Sequence, residues 1–254
     1  MPRYDFISQR LYIDRPLATG KRVDLERNQS NYLINVLRHK DGAPILVFNG
    51  KDGEWQAQLE ISGRKKAALL VVKQTREQTV PYDLEYWFAP LKQARLEYMV
   101  QKAVEMGVGI LQPVLTEFTQ LRKLNFDRMA AHTVEAAEQC GILTLPTIRE
   151  PLTLRSAVDS LPEDRRLIFC DEGEHSQNPL PALSQLQSGP LCVLIGPEGG
   201  FSPAERDMLR SHPQTTPIPL GPRVLRADTA AIAALAIIQA MLGDWKPNST
   251  SDGK

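Results

Sequence analysis

Two glycine-rich turns carry the residue pattern best suited to chemistry in this chain of 254 residues. The first is Leu194-Ile195-Gly196-Pro197-Glu198-Gly199-Gly200-Phe201-Ser202. The second is Leu220-Gly221-Pro222-Arg223-Val224-Leu225-Arg226-Ala227-Asp228-Thr229-Ala230. Each leads from an apolar run through a glycine turn into a helix start. Glycine accepts positive φ and lets main chain approach a ligand closely. A helix start offers free N–H groups and partial positive charge. One such turn is ordinary punctuation; two together, one of them carrying a glutamate, point to a ligand site built from backbone. Neither turn has the glycine spacing of a dinucleotide or P-loop signature. Glu198 would also repel a phosphate, so a ligand bearing hydroxyls, amines or a sulfonium suits it better. No nucleophile elbow or Ser-His-Asp order is present. Cys140, Cys170 and Cys192 form no CxxC pair and read as reduced thiols. His39, His132, His175 and His212 lack metal-ligand spacing, so no metal site is expected.

The elements that must position these turns alternate strand and helix. Leu84 to Ala89, Ile110 to Leu115, Leu167 to Cys170, Cys192 to Ile195 and Ile218 to Leu220 read as strands. Ala94 to Met106 reads as a helix with Leu96, Val100, Ala103 and Val104 inward and Gly107 as its C-cap. Asn125 caps a second helix, through Met129, Thr133, Ala136 and Ala137, that Gly141 ends. Ser202, Pro203 and Glu205 form an N-cap, N1 proline and capping box directly after the first glycine turn. Asp228 is placed to cap a helix from Thr229 to Leu242. That helix is apolar nearly all round, which fits a central core position or a subunit interface. The rhythm implies a mostly parallel sheet with helices on both faces.

The N-terminal part is different. Pro44 to Phe48 ends in Asn49-Gly50, with Asp52-Gly53 just beyond, and both pairs are turn signals. Trp55, Ala57, Leu59 and Ile61 alternate onto one face, and Ala67 to Val72 is a further strand. Tyr32, Leu33, Val36 and Leu37 share one helical face. This is a small β-rich module with one helix. A polar stretch at 74–82 marks the boundary. The expected organisation is an N-terminal domain at 1–75, a larger domain at 80–246 and a flexible tail at 247–254.

Composition is that of an ordinary globular protein, with 42% hydrophobic and 24% charged residues. No apolar run approaches the roughly 20 residues of a membrane span. Met1-Pro2-Arg3-Tyr4-Asp5 lacks the apolar core of a signal peptide, so the expected location is cytoplasmic, with no membrane partner. The formal net charge is zero, which argues against a generic polyanion sponge but allows a local basic face.

At the two glycine turns the chain resembles the RsmE family, 16S ribosomal RNA uridine-N3 methyltransferases of the SPOUT class. The stretches that carry the resemblance are Ile195 to Ser202 with Glu205, and Leu220 to Arg226 with Thr229-Ala230. Gln101 to Val108, Glu135 to Gly141 with Pro146, Val36-Leu37-Arg38 and Phe48-Asn49-Gly50 extend it over nearly the whole chain. The resemblance implies an α/β fold: a C-terminal trefoil-knotted SPOUT methyltransferase domain with a parallel sheet, plus a small N-terminal β-rich PUA-like domain that binds RNA. It implies a homodimer with S-adenosylmethionine in the knot, near the subunit interface. The implied cofactor residues are Leu194, Gly196, Glu198, Gly199, Gly200, Leu220, Gly221, Leu225 and Thr229. Three positions depart from the family pattern. Phe118 and Ile142 stand where arginine is usual, and Asp228 where glutamate is usual.

Methylation at uridine N3 needs the N3 proton to leave and the resulting charge to be stabilised. Arg226 is the expected catalytic residue, its guanidinium facing the uracil oxygens; a structural ion pair to Asp228 or Glu198 is its other reading. Glu198 orients the base or braces the loop, and bracing is favoured. RNA contact is assigned to Arg3, Arg10, Arg38, Lys65 and Lys66, with Lys92, Arg95 and Arg122 from the larger domain. The expected partner is 16S ribosomal RNA or the assembled small ribosomal subunit. Rival readings are a SPOUT enzyme acting on tRNA, a non-catalytic RNA-binding ribosome-assembly protein, and a Rossmann-like small-molecule enzyme. The last lacks the fingerprint glycines.

Overall fold

Alternation and turn chemistry account for the first of two compact units in the computed structural model, which describes residues 8–120, 123–171 and 177–246. This unit comprises the chain up to Val80 together with Val134–Leu145. Its elements are β1 (Arg10–Tyr12), β2 (Arg22–Asp24), α1 (Arg27–Asn31), β3 (Pro44–Phe48), β4 (Glu54–Gly63) and β5 (Lys66–Arg76). The sheet order is β1-β3-β4-β5-β2, with β1 parallel to β3 and the other pairs antiparallel. Asn49 shapes the β3–β4 loop: its Oδ1 accepts the Lys51 and Asp52 N–H groups at 3.0 and 2.8 Å. Gly53 ends that loop at φ 80°, where a Cβ would sit 2.3 Å from the Arg76 carbonyl. Ala57 and Leu59 are buried, with Trp55 and Ile61 packed at the cluster's edge, as the period-2 pattern requires.

The helical face at 32–37 differs from its expected form. After α1 the chain runs through a single π-helical turn, Tyr32–Val36. The wider turn rotates Val36 out, to 60% exposure, while Leu33 is fully buried and Ile34 and Leu37 pack beside it. The first unit ends at Val80, inside the polar stretch 74–82, but also takes in a later segment. The segment 134–145 is held in the first unit: Glu138 accepts the Tyr12 N–H at 2.8 Å, Arg76 donates to the Gly141 carbonyl at 2.9 Å, and Gln78 donates to Thr144 at 2.8 Å. A linear reading of domains misses a returning segment of this kind.

The second unit holds β6 (Leu84–Phe88), α2 (Gln93–Glu105), β7 (Ile110–Leu115), the start of α3 (Phe126–Cys140), β8 (Thr147–Ile148), β9 (Leu152–Thr153) and α4 (Leu154–Asp159). β10 (Arg166–Cys170), α5 (Leu180–Leu183), β11 (Leu191–Ile195), α6 (Pro203–Ser211), β12 (Thr215–Ile218) and α7 (Ala227–Met241) complete it. The strands form a parallel sheet ordered β12-β10-β11-β6-β7-β8, with β9 beside β7. Every residue of β6 and β11 is buried, because helices cover both faces of the sheet. One face packs against α2 and α7 through Met99, Val100, Ala231, Leu235 and Ile238. The other packs against α4 and α6 through Leu154, Val158 and Leu209.

Two expectations are corrected here. The strand expected at 218–220 is Thr215–Ile218; Pro219 and Leu220 already belong to the following loop. The start of α7 lies earlier than expected, with Arg226 at the N-cap and no side-chain cap. Asp228 is inside the first turn, where its carboxylate accepts the Thr229 N–H at 2.9 Å and favours the positive end of the helix. The tail from 247 and His175 lie outside the described residues. No helix among the described residues is long and apolar enough to cross a membrane, and no His/Cys/Asp/Glu group there could hold a metal.

Candidate functional site

Three adjacent strands, β11, β10 and β12, end at one side of the second unit's sheet. Carboxyl ends of parallel strands are where such sheets form ligand crevices. β11 runs into the loop 196–201. The Gly200 N–H donates to the Pro197 carbonyl at 2.9 Å, and Gly200 takes φ 69°, which closes the turn. Gly196 lies against the Phe201 ring: a Cβ there would come within 3.1 Å of it. Phe201 itself is buried edge-on to Phe169. The capping box anchors the far end of the loop. Ser202 Oγ accepts the Glu205 N–H at 3.3 Å, and Glu205 accepts the Ser202 N–H at 3.0 Å.

The second loop, 219–226, leaves β12 and enters α7. Gly221 takes φ 85°, a conformation that disfavours other residues. Between the loops, the end of β10 contributes Asp171. Its side chain is fully buried and bridges Arg206 and Arg210 of α6, at 3.2 and 2.7 Å. The Asp171 N–H donates to the Ile218 carbonyl at 3.0 Å, so one residue ties helix and strand ends together.

These parts enclose a cavity of about 410 Å³, within the range of small-molecule sites. Its apolar wall includes Ile195, Phe201, Leu220 and Leu225, and its lining also includes the two glycine loops and the polar residues Asp171, Glu198, Arg206 and Arg226. Burial pushes the Cys170 thiol well up, so this lining residue stays protonated. Glu198 is ion-paired with Arg95 of α2. Arg226 lines the cavity, is exposed, and has no ion-pair partner among the described residues.

Of the residues expected at a cofactor site, Gly196, Glu198, Gly200, Leu220, Gly221 and Leu225 line this one cavity, and Arg226 lines it too. Gly199 faces the other side of its loop, against Phe118. The Leu194 side chain is fully buried in the core, and Thr229 is exposed in the first turn of α7; neither lines the cavity. Asp171 and Arg206 were missed. An acid immediately after an apolar strand, with arginines on a nearby amphipathic helix, is the signal that could have found them.

The expected RNA contacts divide. Arg38, Lys65, Lys66 and Lys92 are exposed. Arg95 is partly exposed and committed to Glu198. Arg10 is a correction: it is 4% exposed and ion-paired with Glu54 at 2.9 Å, so it is an internal partner rather than an RNA contact. Alternation does not explain its burial, since the adjacent Leu11 is buried too; the buried acid Glu54 is the partner that accommodates its charge. Arg3 and Arg122 lie outside the described residues.

Comparison with known proteins shows the family. An RNA methyltransferase domain family matches residues 78–239, and an RNA methyltransferase PUA domain family matches 25–72. The ribosomal RNA small subunit methyltransferase E of Rickettsia conorii is 31% identical, over 91% of this chain and 94% of that protein. That of Synechocystis is 32% identical, over 87% and 73%. Among solved structures, a ribosomal RNA small subunit methyltransferase E from Neisseria gonorrhoeae bound to S-adenosyl methionine is similar with a TM-score of 0.84 and 27% identity. That match covers 94% of this chain and 100% of that one. A protein from Legionella pneumophila in complex with the same cofactor has a TM-score of 0.81 and 30% identity, over 92% and 97%.

Proposed function

We infer the reaction from the premise that this chain belongs to the ribosomal RNA small subunit methyltransferase E family: it transfers a methyl group from S-adenosylmethionine to N3 of a uridine in 16S ribosomal RNA. The observation that carries this reading is the convergence of both glycine loops on one cavity at the start of α7. The cavity suits the cofactor in size and in its mix of apolar wall, glycine loops and a few polar residues. Gly221 opens the second loop to close approach, since nothing lies within 4 Å of where its Cβ would be. Related proteins carry S-adenosylmethionine in their structures, which supports the same ligand here.

S-adenosylmethionine supplies an electrophilic methyl group when bound. The chain's own task is to hold the acceptor in line and stabilise the charge that forms as the N3 proton leaves. Arg226 is the residue for the second task. It stands at the N-cap of α7, so its guanidinium and the helix start add positive charge at the same edge of the cavity. Glu198 acts as a brace, its carboxylate already paired with Arg95. Gly196, Gly200, Leu220, Gly221 and Leu225 form the cofactor cradle. In this reading the second unit is a trefoil-knotted SPOUT domain, and the enzyme is a cytoplasmic homodimer acting on 16S RNA or on the assembled small subunit. The half-buried row Ile232, Ala233, Ala236 and Ile237 on α7 supports a subunit contact.

The test is methyl transfer from labelled S-adenosylmethionine to small ribosomal subunits from cells lacking this protein, followed by nucleoside analysis. Label in 3-methyluridine is expected. Cofactor binding without labelled subunits would shift the substrate to another RNA.

A further inference from the structure

An aromatic ring is displayed at the outer edge of the first glycine loop. It sits on the turn Thr116 to Thr119, whose own hydrogen bonds make it rigid. Thr119 Oγ1 accepts the Thr116 N–H at 2.9 Å, and the Thr119 N–H donates to the Thr116 carbonyl at 3.2 Å. Both threonines are buried. The Glu117 N–H donates at 2.8 Å to Glu205, the acid that closes the capping box of α6. The backbone on both sides of Phe118 is thus fixed, yet Phe118 is 43% exposed. Gly199 makes room for it: a Cβ there would lie 3.3 Å from Phe118 Cβ.

Phe118, Lys92 and Gln120 border a shallow cleft with Glu198 and Gly199. Glu198 also lines the large cavity on the opposite face of the loop. A fixed aromatic face beside a cation and a side-chain amide is the set of groups with which proteins hold unpaired bases: ring against base, cation against backbone, amide against base edge.

We propose that Phe118 is a substrate-binding residue that stacks on a base of the RNA next to the methylated nucleotide, with Lys92 toward the adjoining phosphate. This rests on the methyltransferase reading above. The methylated base must meet the cofactor on the cavity face, so the base in the cleft across the loop is its neighbour. The departure from arginine at this position has a physical reason on this view. A guanidinium plane also stacks on a base, so phenylalanine keeps the flat face and gives up the charge.

The experiment is steady-state methyl transfer to unmodified small subunits, with melting temperature and S-adenosylmethionine affinity measured in parallel. Phe118→Ala and Phe118→Leu are expected to lower kcat/KM roughly five- to 150-fold, mainly through KM. Relative to them, Phe118→Trp and Phe118→Arg restore it, and melting temperature and cofactor affinity stay level throughout. Full activity in Phe118→Leu would overturn the proposal, because leucine keeps the apolar bulk and loses the face. A fall in cofactor affinity that matches the loss in kcat/KM would also overturn it, making Phe118 loop packing. If the wild-type protein transfers no methyl group to any subunit, the activity is refuted instead. Affinity for a fluorescent single-stranded pyrimidine oligonucleotide then decides the stacking, with equal binding by wild type and Phe118→Leu overturning it.

Discussion

Arg95 on α2 and Glu198 in the first glycine loop form an ion pair. From sequence alone the arginine is assigned to RNA and the glutamate to the cofactor loop. The pairing makes them one brace, which holds the loop between the cavity on one face and the Phe118 cleft on the other.

Breaking that brace has a small effect on stability and a larger one on binding. The side chains are 39% and 43% exposed, so Arg95→Ala is expected to destabilise the fold by less than about 1 kcal/mol. The loop is then free to leave its binding conformation, and S-adenosylmethionine affinity falls a few-fold. Salt screens the pair, so the gap between variant and wild type should narrow from about 0.05 M to about 0.5 M salt. Calorimetric titration at both concentrations checks this, and identical affinities at low salt would rule out the brace.

Gly196→Ala places a methyl group about 3.1 Å from the Phe201 ring. Phe201 is buried against Phe169 and cannot simply swing away. Overpacking of this kind costs about 1–3 kcal/mol. Cofactor affinity is expected to fall about tenfold, the equivalent of about 1.4 kcal/mol. Phe201→Leu in the same chain should recover part of the loss by giving the methyl group space. A double variant no better than Gly196→Ala would show that the clash is not the cause.

Arg226→Ala separates binding from chemistry. The side chain is exposed and has no ion-pair partner among the described residues, so stability should stay within about 0.5 kcal/mol of wild type. Cofactor affinity is expected to hold, while kcat falls about 100- to 1,000-fold, as for loss of a charge-stabilising donor. Normal turnover would remove Arg226 from the mechanism.

The buried acid Glu54 gives the first unit an acid-sensitive joint. Burial alone pushes its carboxyl up, but hydrogen bonds from Arg76 and Thr75, the Arg76 charge and a bond from Arg10 outweigh this and hold it below the ordinary value. A carboxyl depressed in the folded state adds stability above its unfolded value, about 4.3. That stability is lost as pH falls through the folded value. Denaturant midpoints should therefore drop as pH goes below about 4, with the drop reduced in Glu54→Gln. At neutral pH this variant removes the buried charge that Arg10 and Arg76 share, and breaking these pairs should cost about 3–5 kcal/mol. Glu138 works in the opposite direction: burial raises its carboxyl above the ordinary value, so its charged form costs stability at neutral pH and protonation relieves that cost.

Much of the fold was legible because its signals are local. The capping box at Ser202, Pro203 and Glu205 is an offset pattern in four consecutive residues, and it forms as read. The run at Leu84 to Phe88, apolar but for Glu85, and the continuous apolar run at Leu191 to Ile195 announce strands covered on both sides, and every residue in them is buried. Gly107 and Gly141 end their helices at φ 78° and 62°, as their positions after periodic segments require. The two glycine turns could be recognised as ligand loops for the same reason: glycine, proline and helix-start chemistry acts within a few residues.

What the tertiary structure alone decided is which charges meet. Arg10 reads as an exposed cation until β1 pairs with β3 and brings Glu54 beside it. Asp171 reads as one acid among many until parallel pairing of β10 with β12 sets it between α6 and the second loop. Val36 reads as core until one π-helical turn rotates it outward. In each case the partner is distant in sequence, and a side chain's charge or apolarity does not encode which distant group will neutralise or cover it. Periodicity determines which face of an element is buried; chain topology determines what that face is buried against.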